Sequence, residues 1–149
     1  MKSIFDEEVR IELIARIDSL QPGTKAQWGT MTAEQMVRHC ILTEEYYRGK
    51  IAVKRSFLGR ILGRIAINAI LKDDRTTFRK NSMTAPQFKV TNSVNHFEDN
   101  KQKWQALIEQ YKDFNSKYFT HWFFGKMTRD ELGKFIYKHS DHHLNQFGS

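Results

Sequence analysis

A chain of 149 residues suits one domain, residues 1–149, with a single hydrophobic core. With 40% apolar and 28% charged residues it falls among folded globular chains, which excludes a disordered one, and no run approaches the ~18 apolar residues of a membrane span. The formal net charge of +7 favours acidic partners in general and selects none of them.

Cys40 is the single cysteine, so an intrachain disulfide is excluded. The opening MKSIFDEEVRIELI carries acids early and lacks an apolar core, unlike a signal peptide. A cytoplasmic setting is the expectation. Two Pro, eight Gly and few β-branched runs point to helices.

The first helix is expected over residues 6–19, where Phe5, Val9, Leu13, Ile14 and Ile17 recur at helical spacing. Pro22 and Gly23 end it. The second opens at Thr32, where Thr32 and Gln35 form a capping box, and runs to about residue 48. Its inward face carries Met36, His39, Cys40, Thr43, Tyr46 and Tyr47. Residues 57–71 read as a short amphipathic helix, expected to pack onto the rest of the fold, with a dimer seam or a membrane surface as the alternatives for its apolar side. Residues 72–94 show no period, and stretches of that length often cover functional sites. The third long helix is expected over residues 97–118, with Trp104, Leu107, Ile108, Tyr111 and Phe114 as its stripe. A turn follows at residues 121–126. The last helix opens at Thr128 on a second capping box closed by Glu131. The expectation is an all-α four-helix bundle with a long connection between its second and third long helices, which permits an up-down-down-up order.

The last helix carries the most informative pattern, Lys138-His139-Ser140-Asp141-His142-His143-Leu144-Asn145-Gln146. His139 and His143 are four residues apart, so their Cβ atoms lie ~6 Å apart on one face. That face also carries Leu132, Phe135 and Ile136. Two neighbouring imidazoles in an apolar stripe are expensive to bury unless something satisfies them, and a metal ion does so. His39 faces inward on its own helix and is the third candidate ligand. Asp141 falls on the opposite face and His142 on the flank. Gln146, one turn beyond His143, can hydrogen-bond a ligand imidazole. His121 is expected in a turn ~16 Å or more from His139, and His96 at the mouth of a site. Trp104, Leu107 and Ile108 are expected to wall the histidine pair.

The order of a helix, an aromatic turn (Gln27-Trp28-Gly29-Thr30-Met31), a helix with one histidine, a long helix and a last helix with the histidine pair resembles the DinB-like superfamily of metal-binding four-helix bundles. The likeness is to an uncharacterised bacterial branch, and it is strongest around His39 and over the last 28 residues. It implies an up-down-down-up bundle with a divalent metal, zinc or nickel, held by His39, His139 and His143. It also implies a small-molecule substrate and homodimers. Relatives of known activity include thiol-dependent S-transferases using low-molecular-weight thiols, and others are described as metal-dependent hydrolases.

Three histidines leave an open position for water or substrate. No catalytic acid or base is assigned: Glu44 and Glu45 are read as pointing away from the His39 face, while Thr43 and Tyr46 can only donate or orient. No organic cofactor is expected. The leading expectation is a metal-dependent hydrolase, with a thiol S-transferase as alternative. A third reading is a non-catalytic binder of acidic partners through the basic 50–80 segment, which lacks a groove-reading nucleic-acid motif. No membrane partner is expected.

Overall fold

The computed structural model describes every residue except Thr77 and Met83. Among the described residues it holds helices α1 (Glu7–Ser19), α2 (Ala33–Tyr47), α3 (Phe57–Ile70), α4 (Phe97–Glu109) and α5 (Arg129–Gln146), and an antiparallel pair of strands, β1 (Tyr118–His121) and β2 (Gly125–Thr128). Short 3-10 turns occupy Pro86–Phe88 and Gln110–Asp113. The fold is thus mostly helical. Among the described residues no helix is long and apolar enough to cross a membrane.

Both capping boxes form. The Thr32 hydroxyl accepts the Gln35 N–H at 3.2 Å while Gln35 Oε1 accepts the Thr32 N–H at 3.0 Å. Thr128 and Glu131 repeat the exchange at 3.2 and 2.9 Å. These boxes fix where α2 and α5 begin, and hence which turn carries each histidine. Helix α4 packs against α1 and α2, and α1 also packs against α5. Leu13, Ile17, Met36, Ile41, Trp104 and Ile136 are fully buried between them.

The expected third helix is shorter than its stripe, and the fold is not all-α. Helix α4 ends at Glu109, and the chain leaves its 3-10 turn at Phe114 in an extended conformation. Tyr111, in the 3-10 turn, and Phe114, just past it, close around the Phe5 ring at centroid distances of 5.9 and 5.4 Å. Tyr118 to Thr128, expected as a helix tail and a turn, form the hairpin with Phe119 opposite Met127 and His121 opposite Gly125. Gly125 takes the positive φ of 83° that the turn requires. Tyr118, Phe119 and Thr120 are aromatic and β-branched residues of the kind that strands favour.

The expected packing of the 57–71 helix is reversed. Helix α3 buries its glycine face: a Cβ on Gly59 or Gly63 would lie 2.4 or 2.2 Å from the Phe123 carbonyl oxygen in the hairpin turn. Ile67 is buried beside them, while the apolar side chains of Phe57, Leu58, Ile61, Leu62 and Ile65 face out, 43–78% exposed.

The 72–94 segment is tied down. Lys138 Nζ donates to the Asp73 and Thr76 carbonyls at 2.6 Å each, and Lys80 Nζ sits 4.3 Å from the Trp28 ring centroid.

Candidate metal centre

The three histidines nominated from the sequence come together. One nitrogen from each of His39, His139 and His143 lies within 4.8 Å of the other two. Ring centroids are 4.8 Å apart for His39–His143 and His139–His143, and 5.5 Å for His39–His139. Helix α2 supplies the first ligand and two successive turns of α5 the others. His39 and His143 are buried, and His139 keeps part of its surface open.

The hydrogen bonds around the rings assign the tautomers. His39 Nδ1 lies 2.8 Å from the Phe88 carbonyl oxygen, which can only accept, so Nδ1 carries the proton and Nε2 keeps its lone pair. His143 Nδ1 lies 3.0 Å from Gln146 Oε1. The Gln146 amide is itself oriented, because its Nε2 donates to the Trp28 carbonyl at 2.7 Å. His143 Nδ1 is therefore also a donor, and its Nε2 is free. His139 has no hydrogen-bond partner among the described residues. Two imidazoles held by outer acceptors and a third with free nitrogens form a donor set suited to a divalent ion of the imidazole-binding class.

Electrostatics favour the neutral, ligand-ready form. Burial holds the His39 imidazole below its ordinary range, against the opposing pull of the Phe88 carbonyl. Burial pushes His139 and His143 well down, and the neighbouring imidazoles add to it, chiefly His143 acting on His139 and His39 acting on His143.

The rings that meet the three histidines are Phe78 and Phe135, 5.9 and 6.2 Å from His139, and His142, 5.3 Å from His143. Trp104, expected as their wall, lies instead in the core on α4, which packs on α1 and α2. Phe78 and the Phe88 carbonyl both come from the aperiodic 72–94 segment. No local pattern announces a backbone carbonyl as a ligand's support. Pro86 at the start of its 3-10 turn was the single visible cue.

Other candidates settle as follows. His142 is half-buried between Trp28 and Phe78, at 5.5 and 5.7 Å, and is not in the cluster. His96 caps α4 in the left-handed region and is exposed. His121 corrects an expectation: the hairpin folds back along α5, so His121 is buried against Phe135 at 5.4 Å, one ring away from His139. Its Nδ1 accepts the Phe123 and Phe124 N–H groups at 3.1 and 3.2 Å, and burial, aided by Arg55, lowers its pKa to about 3.

Glu44 is not in the histidine cluster, yet it is buried: it accepts the Tyr111 hydroxyl and pairs with Arg48 at 3.3 Å, and burial raises its pKa to about 7. Thr43 bonds back to the Cys40 carbonyl at 2.8 Å, and the Tyr46 hydroxyl accepts the Trp122 N–H at 2.6 Å. Both hydroxyls are thus structural. The Asp141 carboxylate turns away from the cluster to Arg16 at 2.7 Å.

Two cavities flank these elements. One of about 500 Å³ lies at Arg48, Asp113 and Phe119. The other, of about 380 Å³, lies at Asp74, Lys138, Asp141 and His142. Neither is lined by a residue of the three-histidine cluster.

Fold and site together define a helical protein with a buried three-histidine cluster able to hold a metal ion. The chain belongs to the DUF1569 family, proteins of unknown function, whose family model matches residues 8–149. That match takes in all three histidines. No curated protein and no solved structure matches the chain.

Proposed function

We propose that this protein is a metal-dependent hydrolase, and that α1, α2, α4 and α5 form an up-down-down-up bundle of the DinB-like kind with α3 inserted in its long connection. The observation that carries the reading is the pair of oriented tautomers. His39 and His143 each commit Nδ1–H to an outer acceptor and leave Nε2 free within a shared cluster with His139. Core histidines kept only for packing do not need one nitrogen from each of three rings within 4.8 Å of the others.

Zinc or nickel is the metal that suits three neutral imidazoles. When bound, the ion supplies a Lewis acid and lowers the pKa of water held in the remaining position. The chain's own residues do the rest. The Phe88 carbonyl and Gln146 hold two rings in place, Phe78 and Phe135 exclude water from one side, and partly open His139 marks the approach. Thr43 and Tyr46 have their hydroxyls engaged elsewhere, so no side chain of the inward face serves as a general base.

The test is metal analysis of protein purified without an affinity tag. One zinc or nickel per chain is expected, and His143→Ala should lose it. Hydrolysis of a panel of aryl esters and phosphodiesters should appear with the metal and vanish on chelation. A metal-free preparation whose melting temperature ignores added zinc and nickel would refute the metal site. A fully loaded protein inert on the whole panel would refute the hydrolase.

A further inference from the structure

Helix α3 inverts the usual arrangement of an amphipathic helix. Ordinarily the apolar stripe faces the core. Here the glycine edge is docked, and it is docked too tightly to turn. Gly59 and Gly63 press on the backbone at Phe123, and any residue larger than glycine would collide there. Ser56 locks the first turn, its hydroxyl accepting the Gly59 N–H at 3.1 Å and its own N–H donating to the Trp122 carbonyl at 3.0 Å. The helix cannot roll its large side chains inward without undocking. Phe57, Ile61 and Ile65 stand 78, 60 and 68% exposed on adjacent turns, with Leu58 and Leu62 beside them at 48 and 43%. Together they form a contiguous apolar ridge, the kind of surface that marks an interaction site.

The charges around the ridge identify its occupant. Residues 50–72 contain six Lys and Arg and no Asp or Glu. Two of the six are engaged within the chain, Arg55 with the His121 carbonyl at 2.5 Å and Arg64 with Glu131. Lys54 lies just before the helix, Arg60 along its flank and Lys72 just past its end, all exposed and without an ion pair among the described residues. An apolar ridge framed by long cationic side chains is the layout of a helix that lies in a lipid–water interface: the ridge enters the acyl boundary, and the Lys and Arg heads reach anionic headgroups. A two-fold mate of the same chain would instead bring a second set of unpaired cations, Lys54 and Arg60 among them, against the first, with the nearest acids in sequence, Asp73 and Asp74, beyond the end of the helix.

We infer that α3 is an interfacial anchor that seats this protein on anionic lipid surfaces. The inference is independent of the metal site, because it rests on residues that do not touch the histidines.

Vesicle co-sedimentation of the full-length protein tests it. Binding to phosphatidylcholine–phosphatidylglycerol vesicles is expected, weaker on phosphatidylcholine alone and falling as salt rises. The double variant Ile61→Gln/Ile65→Gln should bind more than about tenfold less tightly, with an unchanged melting temperature because both positions are exposed. Arg60→Gln/Lys72→Gln should weaken binding to the anionic vesicles and leave binding to neutral ones as it is. His143→Ala should bind vesicles like the parent. Wild-type protein that stays in the supernatant with anionic vesicles overturns the inference. So does binding that survives Ile61→Gln/Ile65→Gln. Sedimentation equilibrium without lipid gives the competing outcome: a dimer that this double variant dissolves, together with absent vesicle binding, assigns the ridge to a second copy.

Discussion

Replacing Gln146 by Leu separates a structural role from a metal-positioning one. The side chain ties α5 to the loop at Trp28: it accepts from His143 Nδ1 at 3.0 Å and donates to the Trp28 carbonyl at 2.7 Å. Leucine keeps the buried volume and removes both bonds. The His143 Nδ1–H then has no acceptor in a buried setting, which costs about 1–3 kcal/mol in the metal-free protein. The ring also loses the contact that fixes its tautomer and aim, and loss of such a partner weakens metal binding about 10–100-fold. Gln146→Glu is the informative control. Its carboxylate still accepts from Nδ1–H but opposes the Trp28 carbonyl, so stability should fall while zinc affinity stays within about threefold of wild type or rises. Gly29→Ala reaches the same residue from the other side. Gly29 has φ +82°, and an added Cβ would lie 2.8 Å from Gln146 Nε2, so this variant should also loosen zinc. The assay is competition between metal-free protein and a chromophoric chelator at pH 7.5, beside thermal melts of the metal-free forms. Gln146→Leu binding zinc as tightly as wild type would refute the argument, whatever its stability.

Two further predictions follow from the buried charges and from the α3 contact. Burial lowers the folded-state pKa values of His39, His121, His139 and His143, so their stabilisation is present above pH 6.5 and lost as pH falls, when the unfolded chain takes up protons that the native state refuses. Glu44, raised to about 7, acts in the opposite sense: its contribution is complete below 4.5 and is lost as pH rises to 7. Between about pH 4.5 and 6.5 up to four protons refused by these histidines oppose the one that Glu44 retains, so the metal-free protein should lose stability on acidification, at most about 4 kcal/mol per pH unit. Urea melts across that range measure this, and a flat profile would contradict the neutral burial of the histidines. Separately, Gly63→Val forces a side chain onto the Phe123 carbonyl and should destabilise the protein by about 1–3 kcal/mol, read as a lower urea midpoint; an unchanged midpoint would mean that α3 is not docked through its glycines.

The three clustered histidines were legible because helices translate sequence spacing directly into geometry. Two capping boxes set where α2 and α5 begin, a period of 3.6 put His139 and His143 on one stripe, and His39 fell on the inward face of its own helix. Gln146 was legible for the same reason, one turn beyond His143. The strands of the hairpin were missed, and the third long helix carried on to residue 118, because aromatic side chains satisfy a helical stripe and a half-buried strand equally well over short spans. That error carried His121 to the wrong end of the molecule and hid the layer it forms with Phe135.

By itself, then, the amino-acid sequence determined the helical framework and the three histidines, through local rules that act within a few turns. The tertiary structure alone decided that the Phe88 carbonyl orients His39, that Glu44 is buried against Tyr111, and that α3 turns its glycines inward and its large apolar residues outward. These depend on contacts between segments 49 or more residues apart. For α3 the deciding fact is steric: its apolar stripe reads the same whether buried or exposed, and only the close approach of the Phe123 backbone to Gly59 and Gly63 selects the face that docks.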